Sequence, residues 1–267
     1  MKQKNYNFII GGSITCFMVL LILIGFFYTP YDPEKMDSSL KLAEVSLKHI
    51  MGGDNFGRDM FSRILKGCGT TLFVATGTVL IGALMGILIG AFTGYYGGLL
   101  DEVLMRVIDA LFAFPSILLA LVFIAVLGSG KNNVILALGI AFIPSFARIV
   151  RSEFIRCKNM DYVMLAKISG ASDLRIMFVH ILPNTMTVLL SSIMIGFNNA
   201  VLAEAGMSYL GIGAQPPEPS LGLMLSESQT YLFSEPGMVL FPGLMIILLV
   251  LGFALLAEGL KTRNTGK

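Results

Sequence analysis

Tryptophan is absent from this 267-residue chain, histidine occurs twice, cysteine three times, and only 13% of the residues are charged. Each shortage excludes something. His49 and His180 are too few and too far apart to build a histidine-based metal cage. Cys16, Cys68 and Cys157 form neither a CxxC pair nor a disulfide framework. A net charge of +2 leaves no basic surface for nucleic acid, and the low charge content rules out a disordered chain or a coiled coil. Without tryptophan, any aromatic belt at a membrane surface must be drawn from Tyr and Phe.

What is abundant is apolar: 55% of residues are hydrophobic and the mean hydropathy is +0.79. Lipid replaces a buried core in such a chain. A membrane helix needs about 20 mostly apolar residues, and six stretches meet that need: 7–29, 68–95, 105–127, 132–150, 184–208 and 237–258. The first is too long for a signal-peptide core and lacks an A-x-A site, so it reads as an uncleaved anchor. The expectation is an all-α polytopic membrane protein with six transmembrane helices.

Orientation follows from the basic residues. With a cytoplasmic N-terminus, twelve fall inside (Lys2, Lys4, Arg106, Arg148, Arg151, Arg156, Lys158, Lys167, Arg175, Lys261, Arg263 and Lys267) and seven outside. Six spans then place both termini in the cytoplasm. The chain divides into an anchor and outer loop (1–67), a core (68–258) with an inner loop at 151–183 and an outer loop at 209–236, and a tail (259–267). The Gly- and Pro-rich outer loop keeps apolar residues interleaved, which marks an ordered lid or re-entrant segment rather than a linker. Gly82, Gly86, Gly90 and Gly94 recur every fourth residue, so they share one helix face and admit a second helix at close range.

Three chemistries fail on the residues. Leu127-Gly-Ser-Gly-Lys131-Asn132 lacks the first glycine and the final Ser/Thr of a phosphate loop. Asp54-Asn-Phe-Gly57-Arg58-Asp59 lacks the alternating acids and the terminal Glu of a calcium loop. The acids within spans, Asp109 and Glu204, have no catalytic partner nearby in sequence. Asp109 sits three residues after Arg106, a spacing that suits an ion pair, and Glu204 is placed near the outer end of its span, within reach of water. His49 lies in a polar loop and reads as structural or solvated.

The most informative segment is the inner loop. A helix beginning at Asp161, its N-cap, would end at Gly170. Ser172 or Asp173 would cap a second helix running to Pro183. The outcome is a helical hairpin held between two spans.

These residues resemble the EAA motif of bacterial ABC-importer permeases. Ala166, Gly170, Leu182 and Pro183 match it, while Met164, Leu165 and His180 replace the usual Glu, Ala and Ile. Four further blocks are similar to the branch that imports dipeptides, oligopeptides and nickel. They are His49-Ile-Met-Gly-Gly-Asp54 through Arg63, Gly94-Tyr-Tyr-Gly-Gly98 through Asp109, Ala113-Phe-Pro115 through Leu121, and Ala203-Glu204 through Leu225. Gly53 stands at the usual Thr and Leu221 at the usual Trp. The blocks run in order along nearly the whole chain and look like the "C" member of a two-permease pair.

The resemblance implies a type I ABC-importer permease fold in the bacterial cytoplasmic membrane. It implies a second homologous permease, two cytoplasmic ATPase subunits and an extracytoplasmic solute-binding protein as partners, beside the lipid bilayer. This chain would be a non-catalytic pore subunit binding no cofactor, with ATP and Mg held by the ATPases. Tyr162, Met164, Leu165, Ala166, Lys167, Gly170, Ala171, Ser172 and Pro183 would form the ATPase-coupling surface. Asp54, Gly57, Arg58, Asp59, Gln215, Pro216 and Pro217 would face the binding protein. Nickel, a metal chelate and a di- or oligopeptide all remain open as cargo. The alternative is an ATP-independent channel or secondary carrier, which calls for a repeat between halves and polar pairs along the spans; neither is evident.

Overall fold

The computed structural model describes residues 6–265, with side chains through residue 261. Lys2, Lys4 and Lys267 lie outside the described residues, as does the side chain of Arg263. Among the described residues, five helices are long and apolar enough to cross a membrane, and a helix pair bent by 90° meets the same test when its two halves are taken together. They are α1 (Tyr6–Phe27), α2 (Met60–Tyr96), the pair α3 (Gly98–Phe112) and α4 (Ser116–Leu127), α5 (Lys131–Cys157), the run from α7 (Asp173–Arg175) into α8 (Leu182–Tyr209), and α10 (Gly237–Thr265). Two short helices, α6 (Asp161–Ile168) and α9 (Leu221–Ser228), belong to the loops.

Apart from α1, the spans are longer than their apolar stretches because a helix continues once it has left the hydrocarbon. α2 starts at Met60, where the Asp59 carboxylate accepts the Ser62 N–H and caps it. At 37 residues it is about 55 Å long. α10 runs on to Thr265, so most of the expected tail is helical. The third span departs most from expectation. It is not one rod over 105–127: Ala113, Phe114 and Pro115 break it, because Pro115 can donate no backbone hydrogen bond and disfavours helix in the residue before it.

The glycine face of α2 packs on α5. A Cβ on Gly90 would lie 2.5 Å from the Ala147 carbonyl oxygen and 2.7 Å from Val150 Cβ. One on Gly94 would lie 2.7 Å from both the Arg151 carbonyl oxygen and Phe154 Cβ. The α2–α5 pair is the spine of the bundle, with α8 against it, while α1 packs on α10. One apolar cluster fills the body of the bundle. A second joins the ends of α2 and α5 to the inner hairpin through Tyr95, Val150, Phe154, Val163, Ile176, Met177 and Ile181.

Candidate functional site: the inner hairpin and the outer cap

α6 begins one residue earlier than expected. Met160 occupies the N-cap and Asp161 the first turn, where its charge suits the helix dipole. The helix closes as the sequence suggests. Gly170 adopts φ +79°, its N–H donates to the Lys167 carbonyl, and the Ala171 N–H donates to the Ala166 carbonyl. The chain then enters α7 without a separate second helix ending at Pro183. A π turn over Ile176–Ile181 precedes Pro183, which falls in the first turn of α8, where its missing N–H costs little. The second arm of the hairpin and span five are therefore one continuous helical run, Asp173–Tyr209.

The base of this hairpin is firmly packed. Val163 and Ala166 are buried, and the Tyr95 hydroxyl donates to Asp173 at 2.6 Å across the end of α2. The Lys167 ammonium lies 5.3 Å from the centre of the Tyr95 ring. Burial beside the Cys157 thiol pushes the Tyr162 phenol up to about 12. The tip is the opposite. Met164, Leu165, Ile168 and Leu174 are exposed, Ile168 to 84%, around the open Gly170–Ser172 turn. Lys167, Ser172 and Pro183 are also exposed, while Tyr162 and Ala171 are half-buried. Ala166 alone of the expected coupling residues faces fully inward.

At the other end, the expected binding-protein contacts split. Asp54, Gly57, Arg58 and Asp59 are buried, and so present no side chain to an outside protein. They build the cap instead. Asp54 accepts the Phe56 and Arg58 N–H groups at 2.8 and 2.9 Å and the Arg58 Nε at 2.6 Å. The Arg58 and Arg63 guanidiniums both donate to Glu227 Oε2 at 2.9 Å. This four-member cluster has two charges of each sign, and its arginines are 2% and 1% exposed. Asp59, while capping α2, also pairs with His49 Nδ1 at 2.8 Å, so His49 is structural. Gln215, Pro216 and Pro217 remain exposed, with the Gln215 amide donating to the Gly211 carbonyl.

Both intramembrane acids differ from expectation. Asp109 does not pair with Arg106, which donates to Glu102; it accepts from Arg148 at 2.6 Å. The Arg148 side chain in turn stacks over Phe112. Glu204 is 1% exposed and out of reach of water, because α9 folds back over it. Gly222 makes that return possible: a Cβ there would run into the Ala205 carbonyl oxygen. Glu204 accepts from Ser208 at 2.7 Å, and Ser208 accepts from the Ala214 N–H.

Sequence reasoning missed Glu227 as a partner of residues some 165 positions away, and likewise the Arg151–Asp101 and Lys131–Glu218 pairs. Opposite charges flanking a shared apolar block were the available signal. Among the described residues, no group of His, Cys, Asp and Glu is placed to hold a metal ion.

Residues 86–265 match the family described as binding-protein-dependent transport system inner membrane component. The dipeptide transport system permease protein DppC of Alkalihalophilus pseudofirmus is 38% identical over 263 residues, 97% of this chain and 85% of that protein. The glutathione transport system permease protein GsiD of Escherichia coli O6:K15:H31 is 43% identical over 249 residues, 92% and 82% of the two chains. Among solved structures, the MetNI methionine ABC transporter in an inward-facing conformation aligns with a TM-score of 0.62 at 17% identity, over 78% of this chain and 98% of that one. That likeness carries the fold, while the sequence relatives carry the lineage. With its multi-pass helical body, this chain belongs to the family of binding-protein-dependent transport system inner membrane components, the permeases of ABC importers.

Proposed function

We propose that the chain is a non-catalytic pathway subunit of an ATP-driven importer of small peptides, with both termini in the cytoplasm. It pairs with a second permease. Its α6–α7 hairpin seats in a groove on a cytoplasmic ATPase, which holds ATP and Mg; this chain binds no cofactor of its own. Gln215, Pro216 and Pro217 form the exposed surface that meets an extracytoplasmic binding protein. The peptide cargo is drawn from the relatives named for dipeptide and glutathione transport.

One observation carries the coupling role: an apolar tip of Met164, Leu165, Ile168 and Leu174 stands exposed on a base locked to α2 and α5. A patch of that kind, beyond the membrane, marks a protein contact. The locked base lets a push on the tip move the spans rather than bend a loop. Alternating access then requires only that the ATPase states bind the inward and outward arrangements differently.

Gly170→Asp tests this. A Cβ at Gly170 meets nothing within 4 Å, so the side chain adds no clash; the φ of +79° strains any side chain there, and Asp bears that strain better than most residues. The new carboxylate stands at the docking tip. The expected result is normal insertion, with co-purification of the ATPase and uptake both lost. A well-expressed variant that retains both would overturn the assignment.

A further inference from the structure

Three features meet on one face of the bundle at membrane depth. The first is the break in span three. Ala113, Phe114 and Pro115 are exposed where α3 and α4 meet at 90°, and irregular backbone inside a bilayer is tolerated only where protein covers it or water fills the space beside it. The second is a cleft of about 400 Å³ beside that break, walled by α4, α5 and α8, into which Ser116, Ser145, Ser192 and Asn199 project. Ser116, Ser145 and Asn199 are exposed, and their side chains make no hydrogen bond to the described chain. The third is the Arg148–Asp109 pair, whose side chains are 41% and 56% exposed. Arg148 lies one helical turn beyond Ser145, about 25 Å along α5 from Lys131, near the inner limit of a ~30 Å hydrocarbon layer. Charged side chains at such depth face water or protein, not lipid.

We propose that this face is the water-filled wall of the translocation pathway and that the Arg148–Asp109 pair is the polar station at its inner mouth. The assignment rests on the transporter reading above and adds the residues along which cargo moves. The chemistry also selects the cargo. A solute carrying both an ammonium and a carboxylate exchanges into the pair charge for charge, leaving neither residue bare. A singly charged solute displaces one member of the pair without replacing it. The uncharged Ser and Asn side chains above the pair offer hydrogen bonds without a charge to trap a passing zwitterion.

The test uses the assembled transporter in proteoliposomes and needs no knowledge of the cargo. Cys16 is exposed and is replaced by Ala; Cys68 and Cys157 are buried and stay. Ser145→Cys and Ser192→Cys are then treated with charged, membrane-impermeant thiosulfonates, one anionic and one cationic. Treatment is done without nucleotide and after trapping with ATP and vanadate. Leu80→Cys, at an exposed position on α2, is the lipid-facing control.

The expected result is modification of both Ser positions by both reagents, changing about tenfold between the two nucleotide states, with Leu80→Cys unreactive. Adding Arg148→Gln should slow the anionic reagent at Ser145→Cys relative to the cationic one; adding Asp109→Asn should do the reverse. Absence of labelling in both states, in a complex that hydrolyses ATP, would overturn the proposal. Labelling indifferent to nucleotide would also overturn it, by marking a static crevice. Unchanged reagent preference in both charge variants would remove the pair from the pathway. Failure of the parent chain to assemble with any ATPase would instead overturn the transporter reading, and this assignment with it.

Discussion

Gly90→Ala adds a single methyl group to α2 and should be among the costliest small changes in the protein. The added carbon would stand 2.5 Å from the Ala147 carbonyl oxygen, 2.7 Å from Val150 Cβ and 2.9 Å from the Arg151 nitrogen. Relaxed carbon contacts lie at about 3.5–4.0 Å, so α5 must retreat by roughly 1 Å. Two of the three obstructing atoms are backbone and cannot rotate aside. Overpacking costs about 1–3 kcal/mol, and this site belongs at the upper end. Gly69 provides the control within the same helix, since a Cβ there meets nothing within 4 Å. Gly69→Ala should stabilise by about 0.5–1 kcal/mol through helix propensity alone. That gain is common to both variants and cancels, so they should differ by about 2–3 kcal/mol, on the order of a hundred-fold in the unfolding equilibrium. Titrating each purified variant from mild detergent into sodium dodecyl sulfate, with helicity and α2–α5 distance as readouts, measures the difference. If Gly90→Ala is as stable as Gly69→Ala, close approach through the glycine face is not what holds these helices together.

Two further outcomes follow from the outer cap. Arg63→Met strands Glu227 and Asp54 beside a single guanidinium and should cost about 3–5 kcal/mol in thermal unfolding of the purified chain; Arg63→Met with Glu227→Leu should cost less than Arg63→Met alone, and a larger loss in the double variant would contradict the cluster. Asp59→Ala removes the cap of α2 and the partner of His49, and should destabilise by about 1–2 kcal/mol. Asp59→Asn keeps an acceptor for the Ser62 N–H and should recover most of that loss in the same assay.

The spans were legible because apolar length is a local property, and so was the Gly170 turn, where one residue needs positive φ. The glycine spacing revealed that α2 would be approached closely, but not that α5 would do so, since a ridge does not name its partner. Arg106 and Asp109 illustrate the limit on charge pairs. Their spacing permits a bond along α3, yet α5 packs against α3 and brings Arg148 to Asp109 from a different element. Glu204 shows the same limit for depth. Its distance from the span's end suggested water, and only the return of α9, through Gly222, removes it. The resemblance put the block around Asp54 on a contact surface, whereas its polar groups are spent within the cap. Pro183 marked a helix end by rule, and the π turn before it carries the helix through.

One consequence belongs to α2 alone. Its first turn is bound into the outer ion cluster through Arg63, and its last turn holds the inner hairpin through Tyr95 and Asp173. Between them runs an unbroken helix of 37 residues, pressed against α5 along its glycines and so denied a flexing point. Such a strut carries displacement from one side of the membrane to the other without a joint to absorb it. On the transporter reading proposed above, cargo delivery outside and nucleotide state inside would then be felt on the same rigid body, and neither side could reset while the other held it.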